Sequence, residues 1–323
     1  NPAEGACSIS NEEATYSEAF GENLLQLGEK DSRIVAVSAA MIEATGLAPF
    51  QQRFPERTFD IGIAEEHGVA FAAGLALDGF RPFVAIYSTF LQRSYDQMMA
   101  DICLQELPVV FMIDRAGIVG NDGETHHGIF DLSYLLHMPG LTVMAPKDKN
   151  EMKYMMEYAL EQKGPVAIRY PRGIAPVINL SEPSNIPIQR AEILKEGRDV
   201  SLIALGKMIT VAFEASEILA KEGYSCEVIN ARFAKPLDEK TLKNSAKKTG
   251  KVVTLEDNVL VGGFGSAVRT MLQDCGAKEI PSRCIGWPDK FIPQGNTMDL
   301  FCRFGLDAAG TAKKVRDFLE RAT

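Results

Sequence analysis

From Arg33 to about Arg169 the chain alternates short apolar, β-branched runs with stretches of helical period. RIVAVSAA (33–40), RTFDIGI (57–63), RPFVAIY (81–87), LPVVFMID (107–114), LTVMAP (141–146) and PVAIRY (165–170) predict strands. These runs are apolar on both faces, the pattern of strands covered on both sides in a parallel sheet. Helices are predicted at 15–28, 65–78, 90–104 and 148–162. A second series of strands follows near Asp199: VSLIALG (200–206), SCEVINA (225–231), KVVTLED (251–257) and IPSRCIG (280–286). Helices fall between them, and a last one is predicted over 308–321. Between the two series, GIAPVINLSEPSNIPIQRAEILKEG has three prolines and no clean periodicity, which reads as a linker. The pattern therefore predicts two consecutive three-layer α/β domains with mainly parallel sheets, over 8–175 and 198–323, joined by a linker at 176–197.

Length agrees with that division, since 323 residues suit two domains of ordinary size. A net charge of −9 argues against nucleic acid as a partner, because phosphate backbones demand clustered positive surface. Six cysteines (Cys7, Cys103, Cys226, Cys275, Cys284, Cys302) form no C-x-x-C pair and read as reduced, mostly buried residues of a cytosolic protein. The four histidines make no H-x-x-x-H pair, so a zinc site is not expected. No stretch has transmembrane length and no signal peptide is evident, so no membrane association is expected. The chain begins at Asn1, as a piece of a longer protein would.

Ligands of open parallel sheets bind beyond the carboxyl ends of the strands. Three unusual segments fall there. DRAGIVGNDGETHHG (114–128) holds four glycines, three acids, two histidines and an arginine. Glycines let backbone approach a ligand, and His126 or His127 could move protons, although a polar surface loop would look similar. YSTFLQR sets Tyr87, Phe90 and Arg93 three residues apart. That spacing could hold a flat ring beside an anion, or could be a core aromatic with a surface arginine. In FDIGIAEEHGVAFAAG (59–74), Glu65 and Glu66 fall in a first helical turn, where the macrodipole favours acids. Consecutive helical residues diverge by about 100°, so at most one of the two can point squarely into a site.

Two further motifs are ambiguous. In RYPRG, Arg169 and Arg172 could join Arg115 in a bidentate clamp for phosphate or carboxylate, and a salt-bridged loop fits equally. GGFGSAV (262–268) imitates a dinucleotide fingerprint but has Val268 in place of the last glycine, so a tight strand-to-helix turn is expected.

In order along nearly the whole chain, these segments resemble the 1-deoxy-D-xylulose-5-phosphate synthase family of the transketolase superfamily, whose members use thiamine diphosphate. The resemblance is carried by TGL (45–47), RFPERTFDIGIAEEHGVAFAAGLA, PFVAIYSTFLQRSYDQ, LPVVFMIDRAGIVGNDGETHHGIFDLSYL and RYPRG, then by GGFGSAV, GWPDKFIPQG and GLDAAG. It implies a pyrimidine-binding domain followed by a transketolase C-terminal domain. The family's additional N-terminal domain holds the cofactor diphosphate through Mg²⁺ with a G-D-G motif, and no G-D-G occurs here. The chain alone is therefore expected to be inactive, completed by that domain or by a separate subunit. Glu66, Gly68 and Asn121 stand where Gln, Ala and Ala are common in the family.

The resemblance implies roles residue by residue. Glu65 would bind and activate the aminopyrimidine of thiamine diphosphate, with Tyr87 and Phe90 against the ring. The substrates would be pyruvate and glyceraldehyde 3-phosphate, joined with loss of CO2 to 1-deoxy-D-xylulose 5-phosphate, a precursor of isoprenoids, thiamine and pyridoxal. Arg115 and Arg172 would clamp the phosphate, and Tyr87, Arg93, Asp122 and His126 would orient or protonate the substrates. No metal ligand is implied in this chain. A cytoplasmic homodimer is expected, bacterial or, in a plant or alga, plastidic, and small residues on the helix 65–78 would permit close packing. Other readings are the C-terminal subunit of a split transketolase-like enzyme, the beta subunit of a 2-oxo-acid dehydrogenase, or a non-catalytic regulatory module. YSTFLQR and DRAGIVG argue against the dehydrogenase. Retention of Glu65, Phe90, Arg115, Asp122, His126 and Arg172 together argues against the regulatory module.

Overall fold

A computed structural model of the protein describes residues 8–10, 14–179 and 187–321. Cys7, residues 180–186 of the expected linker and residues 322–323 of the expected second domain lie outside the described residues. All six strands predicted in the first series form, within one seven-stranded sheet. Its order is Phe233–Lys235, Thr142–Met144, Val166–Arg169, Val110–Asp114, Arg81–Tyr87, Ile34–Ser38, Thr58–Asp60. The last six strands in that order run parallel, and Phe233–Lys235 joins antiparallel at one edge. Strands such as Ile34–Ser38 and Val110–Asp114 are buried at every position, as two-sided cover requires. Helices Tyr16–Lys30 and Lys149–Glu161 help to cover one face, and Glu65–Leu77 the other.

The second sheet has five strands in the order Ser282–Trp287, Val252–Val259, Val200–Ala204, Cys226–Asn230, Glu192–Lys195. Four are parallel, and Glu192–Lys195 adds antiparallel to Cys226–Asn230. The stretch expected as a linker thus carries this edge strand and a short one, Val177–Asn179, which pairs antiparallel with Ser8–Ser10. Its prolines and broken periodicity concealed both.

The helix predicted over 90–104 is not continuous. A helical turn at Ser88–Leu91 leads to a 3₁₀ turn at Gln92–Ser94, a short helix at Tyr95–Gln97 and a π segment at Met98–Cys103. The 3₁₀ turn tightens the chain at Arg93 and the π segment widens it again, so Leu91, Ser94, Met98 and Ile102 still face the core. No helix among the described residues is long and apolar enough to cross a membrane.

Candidate active site

The site is assembled where the strands Arg81–Tyr87 and Val110–Asp114 end side by side, with Tyr87 paired to Asp114 in register. Tyr87 caps the strand and Phe90 stands one turn later, so their rings stack at 5.6 Å with 10° between planes. His126 meets Phe90 edge-on at 5.5 Å, and its Nδ1 lies 2.9 Å from Thr125 Oγ1. On the other ring of the pair, Arg115 places its guanidinium carbon 3.9 Å from the Tyr87 centroid. Asp122 Oδ2 accepts from Arg172 Nη1 at 2.9 Å, and this pair is close enough to Tyr87 to act on its phenol electrostatically. Burial raises the Tyr87 phenol above its ordinary range, and Arg115 and Arg172 pull against that.

Three-residue spacing suggested one face shared by Tyr87, Phe90 and Arg93. The two rings do share it, but Arg93 turns to the acidic pair. Arg93 Nη1 lies 3.4 Å from Glu65 Oε2, and Nη2 donates to Glu66 Oε1 at 3.3 Å. The two glutamates divide as the 100° rule requires. Glu65 is 2% exposed and its Oε2 accepts no hydrogen bond among the described residues. Glu66 is partly exposed and serves as the outer partner of Arg93. Ala64, ahead of the helix, offers no side-chain cap, so the two acids supply the negative charge that its start favours.

The histidines separate as well. His127 is 2% exposed, accepts from the Val119 N–H at 3.4 Å through Nδ1, and has Nε2 3.3 Å from the Pro293 carbonyl. Burial lowers its basicity. It is a brace between the site loop and the second domain, whereas His126 faces the aromatic pair.

Arg169 does not join the site, and the clamp reading is corrected for it. The guanidinium is buried and donates to both oxygens of Asp131, at 2.8 and 3.0 Å, and to the Asp257 carbonyl at 3.1 Å. GGFGSAV is the expected tight turn. The N–H groups of Phe264 and Gly265, which open a helix, donate to the buried Glu256 at 2.7 and 2.9 Å and so find their partner within the domain.

Sequence reasoning missed what holds the 114–128 loop in shape. Asp257, from the second domain, accepts from Ile118 N–H at 3.2 Å and from Trp287 Nε1 at 2.6 Å, with Lys207 Nζ 2.5 Å away. A Cβ on Gly117 would stand 1.8 Å from Asp257 Oδ2. Gln294 Nε2 donates to the Asn121 carbonyl at 2.7 Å. An acid ending KVVTLED and the polar GWPDKFIPQG turn were visible signals, but their target lies more than a hundred residues away.

Comparison with known proteins supplies the class. The transketolase pyrimidine-binding domain family model matches residues 12–177, and the transketolase C-terminal domain model matches 189–310. The chain belongs to the transketolase family. It is 54% identical over 293 residues to 1-deoxy-D-xylulose-5-phosphate synthase of Desulforudis audaxviator, covering 90% of this chain and 46% of that protein. It is 53% identical over 307 residues to 1-deoxy-D-xylulose-5-phosphate synthase 1 of Geobacter sulfurreducens, covering 95% of this chain and 48% of the relative. The chain thus spans about half the length of the curated relatives it matches. Among solved structures, a split-gene transketolase described as an inactive beta4 tetramer superposes with a TM-score of 0.86 at 32% identity, covering 95% of this chain and 98% of that one. Transketolase of Campylobacter jejuni shares the fold, with a TM-score of 0.79 at 22% identity over 97% of this chain and 47% of that one.

Proposed function

We propose that this chain is the pyrimidine-binding and C-terminal portion of a thiamine-diphosphate-dependent 1-deoxy-D-xylulose-5-phosphate synthase. The enzyme condenses pyruvate with glyceraldehyde 3-phosphate and releases CO2. The carrying observation is Glu65, a buried carboxylate with one oxygen left without a hydrogen bond at a strand-to-helix junction. That oxygen has the Arg93 charge 3.4 Å away but no hydrogen bond among the described residues, a lack worth on the order of 1–3 kcal/mol, and the N–H that a ring nitrogen of the aminopyrimidine carries in its imino form would be a fitting donor. The similarity to synthases of this type, over nine-tenths of the chain or more, supports the choice of reaction. When bound, the cofactor supplies the thiazolium that accepts electrons as CO2 leaves pyruvate. Glu65 holds the pyrimidine by charge-assisted hydrogen bonding, and Phe90 with Tyr87 offers it a flat apolar face. Arg93, 3.4 Å from its Oε2, holds the Glu65 side chain in place.

Arg115 and Arg172 receive the aldehyde's phosphate, Arg172 exchanging its Asp122 contact for it. Asp122, Tyr87 and His126 orient the carbonyl groups, and His126, half-exposed beside Phe90, moves protons at the substrate oxygens. A diphosphate-binding domain, fused or separate, brings Mg²⁺ and completes the site. The outward side of the helix Glu65–Leu77, where Leu77 is 65% exposed, and Ile63 just ahead of the helix, 77% exposed, are offered to that domain or to a second copy in a homodimer. A bacterial cytoplasm, or a plastid in a plant or alga, is the compartment this reading assigns.

The near-complete mutual coverage with the split-gene transketolase favours a second reading, a subunit of a split transketolase. The protein joined to its diphosphate-binding domain, assayed with pyruvate and glyceraldehyde 3-phosphate, should yield 1-deoxy-D-xylulose 5-phosphate. Turnover of ketose phosphate donors, with none of pyruvate, would establish the second reading instead. The chain assayed alone should make no product.

A further inference from the structure

Behind the aromatic–arginine cluster lies Asp114, the strand-end acid of the 114–128 segment, to which pattern reasoning gave no role of its own. Asp114 is fully buried. Its Oδ2 accepts from Ser17 Oγ at 2.7 Å, while Oδ1 lies 3.1 Å from Arg115 Nη1 and has no other polar partner among the described residues. Arg115 sits at φ 57°, a left-handed conformation that strains a residue bearing a Cβ. The guanidinium lies over Tyr87, where Nη1 also donates to the Ala44 carbonyl at 3.2 Å. Ser17 is held from behind by the TGL loop. Gly46, at φ +81°, packs so closely that a Cβ there would stand 2.0 Å from the Ser17 carbonyl oxygen. A continuous relay thus runs from Gly46 through Ser17, Asp114 and Arg115 to Tyr87.

We propose that Asp114 is a positioning residue: it holds the Arg115 guanidinium against Tyr87 in the pose that receives the phosphate of the aldehyde substrate. The inference rests on the role given to Arg115 in the proposed function. Attraction between Asp114 and Arg115 needs the ionised carboxyl. The groups facing it are Arg115 on its own strand end, Tyr87 and Tyr170 from the two neighbouring strands, and the neutral Ser17 from the helix Tyr16–Lys30. Arg172 and Asp122 stand beyond Tyr87, and Arg169, on the adjacent strand, is committed to Asp131. Burial pushes the Asp114 carboxyl up to about 6, with Ser17 and Arg115 pulling it back. The positioning is therefore present above about pH 6 and fades as the pH falls through that value.

The test uses the complete enzyme with its diphosphate-binding domain. For the phosphorylated aldehyde, the ratio of wild-type to Asp114→Asn kcat/KM is measured from pH 5 to pH 8. The substrate's own phosphate ionisation cancels in this ratio. It should rise from near one to about tenfold, as loss of a charge-assisted contact implies, with a midpoint near pH 6, while KM for pyruvate stays within about twofold. Ser17→Ala, which keeps the charge and loses one hydrogen bond, should move the midpoint upward. A ratio flat with pH, or equal effects on both substrates, overturns the inference. Arg115→Ala separates the layers. If it raises KM for the aldehyde while the Asp114→Asn ratio is flat, only the positioning role falls. If it leaves that KM unchanged, the role given to Arg115 falls, and this inference with it.

Discussion

Glu151 and Glu256 are both enclosed, yet their carboxyls move in opposite directions. Burial would raise Glu151, but Lys147 and Arg232 outweigh it and hold the group below the ordinary range. Glu256 has the backbone N–H groups of Gly265 and Phe264 and the more remote charge of Arg169, and burial pushes it up to about 8. Between its ordinary 4.5 and about 8 the folded state binds more protons than the unfolded one, so stability falls as pH rises through that window. The denaturant midpoint of the wild-type protein should therefore decline from pH 5 to pH 9, and Glu256→Gln should flatten the decline. An unchanged slope in the variant would assign the pH dependence to another group. Single residues were also where the sequence was least legible. Helical geometry divides Glu65 from Glu66 but cannot say which faces inward, and His126 and His127 part because the Val119 N–H and the Pro293 carbonyl capture the second.

Strands were legible because apolar runs on both faces have few alternatives, whereas two kinds of element were not. One is the interrupted helix after Tyr87, where Glu65 and Glu66 draw Arg93 across from another helix and the backbone adapts. The other is the loop 114–128, whose glycines read as freedom to approach a ligand. At Gly117 the freedom is used twice: φ is +84°, and Asp257 occupies the space a side chain would need. Gly117→Ala should destabilise the protein by about 2–4 kcal/mol, combining left-handed strain with overpacking. Chemical denaturation would measure it, and a loss below about 1 kcal/mol would mean that the loop and Asp257 yield easily.

The two domains are locked by shared elements. Phe233–Lys235 leaves the second domain's sequence to edge the first domain's sheet. Beside it lies a buried ionic cluster. Glu151 accepts from Lys147 Nζ at 3.1 Å and from Arg232 Nε and Asn230 Nδ2, each at 2.8 Å, and Arg232 Nη2 donates to Glu192 at 2.8 Å. Removing one partner strands the remaining charges without water. Glu151→Ala should destabilise the protein by about 3–5 kcal/mol. Equilibrium unfolding followed by Trp287 fluorescence and by circular dichroism would show this, and a loss within about 1 kcal/mol would show that the cluster does not join the domains.

Periodicity and turn chemistry are local, so the sequence by itself determined the two parallel α/β layers, the strand ends where a site could form and the segments crowded with reactive groups. Contacts between residues far apart in the chain leave no such local mark. Only the tertiary structure decided that Arg169 is spent on Asp131, that Arg93 belongs to the glutamates, that His127 braces the second domain and that Asp114 stands behind Arg115. Each of those outcomes turns on which opposite charge or carbonyl arrives first within hydrogen-bonding reach, and that is settled by packing.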